Sequence, residues 1–312
     1  MHKLIKGALF GLSVGDALGV PVEFQSREQL KSFPIKGMVG YGSWDQPSGT
    51  WSDDSSLAFC LAESLSKGYH LNDIAENFIK WYQQGYWGAH HKVFDVGGAT
   101  RFAIIRLING TSPLLSGGME EDDNGNGSLM RILPLLFFVK DFPIEKRYET
   151  ISQVSSITHA HFRSVFSCFI YIEMAVQILR GNNIEEAFKI TVQTVNEFAA
   201  KKDFGKREID LFNMILKIDL RNVKEDSIYS GGYVLHTLEA SLWCLLNTDS
   251  YSEAVLKAVN LGGDTDTTGC VTGGLAGLLY GYDKIPQVWI DELARKNDIE
   301  NLAERLFKNI KS

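Results

Sequence analysis

Two short acidic stretches, one near each end of the chain, place carboxylates beside hydroxyls: Ser52-Asp53-Asp54 in GTWSDDSS and Asp264-Thr265-Asp266-Thr267 in LGGDTDTTG. If the fold joins them, four carboxylates and two or more hydroxyls surround one point. That all-oxygen set suits a hard divalent cation such as Mg2+ or Mn2+, which accept the same ligands. Zinc is disfavoured, because neither stretch offers Cys or His. Each stretch also has a structural reading. Ser52-Asp53-Asp54 precedes the apolar run SLAFCLAESL and would cap a helix there, its acids complementing the dipole. Asp264 to Thr268 would cap a helix beginning near Gly269. Yet two Asp at i and i+2, flanked by Thr and preceded by Gly262-Gly263, carry more oxygen than capping requires.

The elements that must position these groups read as helices. Apolar residues recur at three- and four-residue spacing from about Asn72 to Tyr86, Ile184 to Phe198, Glu208 to Ile218 and Gly232 to Leu246. Ile151 to Leu179 is long and apolar, with a break expected around Thr158-His159-Ala160-His161. Val288 to Ile310 reads as two short pieces. Beta-type alternation is nearly absent, and Pro113, Pro143 and Pro286 sit where helices start or end. Gly, Ala and Ser recur at helical spacing in GALFGLSVGDALG and GCVTGGLAGLLYG, a pattern that lets helices approach closely. The turn-rich, acidic Ser116 to Gly127 is the one stretch expected to be a flexible loop. With 312 residues, 45% hydrophobic and 22% charged, the expected architecture is one compact all-α domain over residues 1–312.

The formal charge of −7 and the lack of a clustered basic face argue against a nucleic-acid surface. Cys60, Cys168, Cys244 and Cys270 are scattered in apolar contexts without a CxxC pair, which reads as buried reduced thiols in a reducing compartment. Asp16 interrupts the N-terminal apolar run, and no apolar stretch is expected to reach the length of a membrane span. A cytoplasmic location is expected.

Taken in order, Gly15-Asp16-Ala17-Leu18-Gly19 with Glu23, Ser52-Asp53-Asp54, Phe94-Asp95-Val96-Gly97, Asn126-Gly127-Ser128-Leu129-Met130-Arg131, Thr158-His159 and Gly262 to Thr267 resemble the ADP-ribosylglycohydrolase family. The blocks run from about residue 4 to residue 281, nearly the whole chain. The resemblance implies an all-helical fold with a two-metal cleft, and removal of ADP-ribose from modified acceptors. By it, Ser52, Asp53, Asp54, Asp264, Asp266 and Thr267 match ligands of two Mg2+ (or Mn2+) ions. The family usually has Thr where this chain has Ser52; either supplies one hydroxyl oxygen.

Cleavage at the anomeric carbon develops oxocarbenium character, so the site must stabilise the sugar and deliver water. Asp95 is the candidate acid-base group, since Gly97 and Gly98 beside it would let ribose approach the backbone; it could also cap a helix from Gly98 through Ile108. Glu23, placed after GDALG where a helix should end, is the second catalytic carboxylate, positioning water or substrate. Candidate substrate contacts are Gly97, the Asn126-Gly127-Ser128 turn at an expected helix start, Met130, His159, and Gly262-Gly263 as a phosphate cradle. Arg131 would add charge to the site or form a structural ion pair. The expected partner is an ADP-ribosylated protein, most simply at arginine, acted on by a monomer. An O-linked or small-molecule ADP-ribose derivative and a non-catalytic ADP-ribose binder are the alternatives. No nucleic-acid or membrane partner is expected.

Overall fold

The computed structural model describes residues 1–311. Its longer helices are α1 (His2–Gly19), α2 (Asp53–Leu65), α3 (Leu71–Gln84), α4 (Gly98–Ile108), α5 (Ile144–Ser156), α6 (Phe162–Leu179), α7 (Ile184–Lys202), α8 (Val234–Leu246), α9 (Tyr251–Val259), α10 (Thr265–Tyr280) and α11 (Lys296–Lys311). Among the described residues there is no strand, only isolated bridges, so the all-α expectation holds for this single compact domain. Local chemistry sets the helix ends. Ser52, Asn183 and Ser250 accept backbone N–H bonds as N-caps of α2, α7 and α9, and α3 stops at Gly85 in the left-handed region.

One helix pair organises the rest. The small-residue faces of α1 and α10 meet antiparallel, backbone against backbone. A Cβ built on Gly7 would stand 2.2 Å from the Gly277 carbonyl oxygen, one on Gly11 2.3 Å from that of Gly273, and one on Gly15 2.0 Å from that of Gly269. At the end of the seam, a Cβ on Gly19 would stand 2.3 Å from the Asp266 amide nitrogen. Only glycine permits this spacing. The seam therefore fixes the C-terminal end of α1 directly against the N-terminal end of α10.

Four expectations require correction. His2–Val22 and Phe162–Leu179 are in fact long and apolar enough to cross a membrane, but 94% and 83% of their apolar windows are buried in this protein's own core. Glu208 to Ile218 is two short helices, Lys206–Asp210 and Asn213–Leu216; the break turns Phe212 into the core, its ring 4.9 Å from that of Phe166. The chain after Ser128 forms a turn, the 3-10 segment Leu133–Leu135 and the short helix Leu136–Val139. Pro134 explains this, since a helix begun at Ser128 would carry it as an interior residue. Ser116 to Gly127 is pinned as well: Gly117 and Gly118 donate to Ser156 and Thr158, and Asn126 donates to Gly232.

Gly11→Ala is expected to lower stability by about 2 kcal/mol, the range for overpacking a close contact. It should also weaken divalent-cation binding, because both helix ends at the acidic stretches shift with the seam. Denaturant unfolding and a metal titration of the variant check this; unchanged stability would remove the seam from its organising role.

Candidate active site

Both acidic stretches hang on α1. Asp16 is fully buried and accepts three hydrogen bonds from the start of α2: Ser52 N at 2.9 Å, Ser55 N at 3.0 Å and Ser55 Oγ at 2.5 Å. Gly19 O accepts a bond from Thr265 Oγ1 at 2.8 Å, at the start of α10. The helix begins at Thr265 rather than near Gly269, so Asp264 occupies the N-cap position without a side-chain cap bond. Across the gap Thr267 Oγ1 donates to Asp54 Oδ1 at 3.4 Å. The two stretches form one site.

That site is the wall of a cleft of about 290 Å3. Of the sequence-predicted residues, Asp53, Asp54, Asp264, Thr267, Glu23, Asp95, Gly97, Asn126, Gly127, Met130 and His159 all line it. The N-terminal ends of α2, α4 and α10 contribute Asp53, Gly98 and Thr267 to this lining, and Gly232 precedes α8. Their dipoles and amides favour anions here. No Lys or Arg is among the lining residues. A larger surface groove of about 470 Å3, near Glu185 and Leu246, gathers no comparable carboxylate set.

The donor set fits divalent cations. Asp54 Oδ2, Asp264 Oδ1 and Asp266 Oδ2 are buried carboxylate oxygens with no hydrogen-bond partner, a costly state unless a ligand completes them. Glu23, Asp95 and Asp266 each offer an oxygen within 4.8 Å of the others. Asp16, Asp54 and Cys270 are equally close. The second trio is a poor metal site, because Asp16 is already committed to the α2 amides and a thiol is a soft ligand. Burial, then the neighbouring carboxylates, pushes the Asp53, Asp54 and Asp266 carboxyls well above the usual range. Glu23 rises to about 9, chiefly from burial and then from the Asp95 charge. Burial likewise raises Asp95, and raises Asp16 to about 7 against its hydrogen bonds.

His159 is held as a neutral donor. Arg131 Nη2 donates to Thr158 Oγ1 at 2.7 Å, and that oxygen lies 2.8 Å from His159 Nδ1. The threonine proton has no other acceptor, so it goes to Nδ1 and leaves the imidazole proton on Nε2. Burial and the Arg131 charge lower the His159 pKa to about 3, which keeps the ring neutral. The Nε2 edge lies near Gly125, and a Cβ on Gly127 would stand 2.7 Å from His159 Cε1. The glycines of this turn thus let it rest on the imidazole. His161, the other histidine of the break, caps α6.

Several sequence-predicted residues fall outside the cleft. Ser128 is buried away from the lining, its hydroxyl between Ser155 Oγ at 2.9 Å and Cys168 Sγ at 3.4 Å. Gly262 and Gly263 have φ of 77° and 75° and donate their amides to Val259 and Gln25, which corrects the phosphate-cradle reading. Their φ values and close neighbours require glycine, but for a turn rather than a ligand. Ser52 and Asp266 lie just beneath the lining; Ser52 Oγ accepts the Asp54 amide at 3.2 Å. Arg131 forms no carboxylate pair and lies over the Phe78 ring at 4.7 Å, away from the lining. Sequence reasoning missed Asp16 as the brace for α2, Trp44 as a donor to Glu23, and Phe24 and Thr100 in the lining. Only Asp16 left a signal, as a lone acid in an apolar helix.

The protein falls among hydrolases of ADP-ribose linkages, and its acid-lined cleft could hold metal ions. The chain belongs to the ADP-ribosylglycohydrolase family, whose model matches residues 2–312, and is an ADP-ribosylglycohydrolase. It is similar to the ADP-ribosylarginine hydrolase Tri1 of Serratia proteamaculans (strain 568), with 34% identity over 305 residues, covering 97% of this chain and 78% of that one. The ADP-ribosyl-(dinitrogen reductase) glycohydrolase of Rhodospirillum rubrum is 28% identical, with 96% of this chain and 93% of that one covered. A solved structure described as an ADP-ribosylglycohydrolase-related protein complex superposes with a TM-score of 0.82 at 30% identity, covering 99% and 98% of the two chains.

A carboxyl raised on folding stabilises the protein below its unfolded pKa and loses that contribution as pH climbs toward the folded value. The metal-free melting temperature should therefore fall as pH rises from about 5 to about 9, the span between the ordinary glutamate range and the raised Glu23 value. Added Mg2+ should restore it, with the largest gain at the alkaline end. Calorimetric melts with and without metal test this; a flat metal-free profile would contradict the shared burden of charge. Thr158→Val should lower ADP-ribose affinity roughly three- to tenfold by freeing the His159 tautomer. Imidazole 15N shifts read the tautomer directly, and an unaltered protonation pattern would overturn the relay.

Proposed function

We propose that this enzyme hydrolyses the bond between ADP-ribose and the guanidino group of arginine in a modified protein, with two Mg2+ or Mn2+ ions in the cleft. The observation that carries the reading is one cleft that gathers Glu23 and Asp95, within 4.8 Å of an Asp266 oxygen, with the partnerless oxygens of Asp54, Asp264 and Asp266. The names of the Serratia and Rhodospirillum relatives support an ADP-ribosylated protein as partner, and the first supports arginine. Ser52, Asp53, Asp54, Asp264, Asp266 and Thr267 would hold the ions, which when bound would supply Lewis acidity toward ribose hydroxyls and water.

The protein's own groups do the rest. Trp44 Nε1 donates to one Glu23 oxygen and fixes that carboxylate beside the cleft, where it orients water or ribose. Asp95 stands at φ 50°, just ahead of the exposed Gly97 and Gly98, where the sugar and its leaving group meet the backbone. As water adds to the anomeric carbon and the C–N bond breaks, Asp95 takes the water proton and returns it to the departing guanidine. The His159 Nε2–H, the amide of Gly97 and the start of α4 are the neutral donors suited to the diphosphate. We take the working form to be a monomer. All four cysteines are unpaired and buried, which supports a reducing, cytoplasmic setting.

Purified enzyme with Mg2+ or Mn2+ should release ADP-ribose from an arginine-modified protein. Inactivity there, with brisk turnover of an O-linked derivative, would transfer the assignment to O-linked substrates. Asp95→Asn should keep its metal affinity while kcat falls by about 10^2 to 10^4. Near-normal turnover would remove Asp95 from the reaction. In Asp264→Asn, metal affinity and kcat should drop together, each by at least about tenfold, with the helical circular dichroism retained.

A further inference from the structure

Three aromatic rings stand in a row beside the two catalytic carboxylates, and the first of them lines the cleft. Phe24 follows Glu23, lines the cleft and keeps 71% of its surface exposed. Its ring lies 6.2 Å from that of Trp44, which lies 5.7 Å from that of Phe94. Trp44 donates to Glu23, and Phe94 precedes Asp95. The row is held by unusual backbone. Phe24 has φ of 67° and Asp95 of 50°, a region that side-chain-bearing residues seldom enter. Phe24 N donates to Gly263 O at 2.7 Å, which anchors the first of these turns. A ring presented to water from a strained turn contributes little to the core, and such strain concentrates where ligands are met.

We propose that this aromatic rim is the acceptor subsite, receiving the guanidinium of the modified arginine on its ring faces beside Glu23 and Asp95. The assignment rests on the arginine reading above and extends it to the residues that select the acceptor. A guanidinium is planar, weakly hydrated and cationic, so it stacks on aromatic faces and is drawn to them electrostatically. The charge of the site is complementary. Two divalent cations would balance the four aspartates of the acidic stretches, leaving Glu23 and Asp95 as the carboxylates nearest the rings. No Lys or Arg among the lining residues opposes an incoming cation, and a cation beside them favours the ionised forms of Glu23 and Asp95. A serine oxygen or an acyl group brings neither the plane nor the charge. Adenine brings the plane alone.

The test is Phe24→Leu and Phe94→Leu, which keep apolar bulk and remove the ring, together with Phe24→Tyr, which restores it. Each is measured for kcat and KM on an ADP-ribosyl-arginine peptide, and for ADP-ribose affinity by calorimetry in the presence of Mg2+. Both leucine variants should raise KM roughly three- to thirtyfold, with kcat nearly unchanged, ADP-ribose affinity within about twofold and the tyrosine variant near wild type. A parallel loss of ADP-ribose affinity would make the rim an adenine platform and overturn the proposal, as would an unchanged KM. If wild-type enzyme ignores the arginine peptide, the functional reading fails and the rim assignment with it. An active wild type with indifferent variants rejects the rim alone. Should Phe94→Leu fold poorly, Phe24→Leu carries the test, because its ring is largely in solvent.

Discussion

Where α1 meets α10, Gly11 faces Gly273 and Gly15 faces Gly269 with no side chains between the two backbones. Both acidic stretches are referenced to that contact. Within one turn of the seam's end, Asp16 draws in the α2 amides and Gly19 takes the Thr265 hydroxyl. Two helix N-termini remote in sequence are thereby set against one post. Helix–helix packing through side chains leaves a range of about 2 Å in axial distance, more than a shared cation site tolerates. Direct backbone contact removes that freedom, and it explains why helix propensity is sacrificed at so many glycines on these two helices.

The same geometry creates the electrostatic problem that defines the site. Asp53, Asp54 and Asp266 are buried, and burial first, then the neighbouring carboxylates, makes each of the three harder to ionise. The helix N-termini lessen the burden but do not abolish it, since dipole effects are worth about 0.3–1 kcal/mol each. Buried carboxylate oxygens without partners remain. Capping and ligation are not rivals here. Ser52 caps α2 and sits beside the cluster, and Asp264 holds the N-cap position of α10 while its Oδ2 accepts from Asn126.

What was legible in the sequence follows from how local each feature is. The acidic stretches declare themselves by oxygen density, and the small-residue spacing declares close packing. The break at Thr158 to His161 is visible because two helical periods fail to join. Illegible were the contacts that only tertiary structure makes. Asp16 reads as an interruption in an apolar helix until the amides of Ser52 and Ser55, far along the chain, complete it. The donor role of His159 depends on Thr158 and Arg131 together, and Arg131 by sequence looked like a charge for the site or for an ion pair. Gly262-Gly263 misled for the opposite reason. Positive φ and close approach were required, but by neighbouring backbone, and both amides were already spent.

The absence of Lys and Arg from the lining follows from the chemistry of the carboxylates. A flexible ammonium within about 4 Å of Asp264 or Asp95 would pair with it, at several kcal/mol in a site of reduced dielectric. Such a pair would compete with a divalent cation for the same oxygens. A diphosphate still needs donors, and these must be groups that do not bind carboxylates as counterions. Helix N-termini and a neutral imidazole satisfy both demands. Arg131 contributes at one remove: buried and stacked on Phe78, it adds its charge to the burial that keeps His159 neutral, and its bond to Thr158 orients the hydroxyl that faces Nδ1. With no Lys or Arg in the lining, these carboxylates stay free to hold metal ions, and the anionic ligand is left to neutral donors.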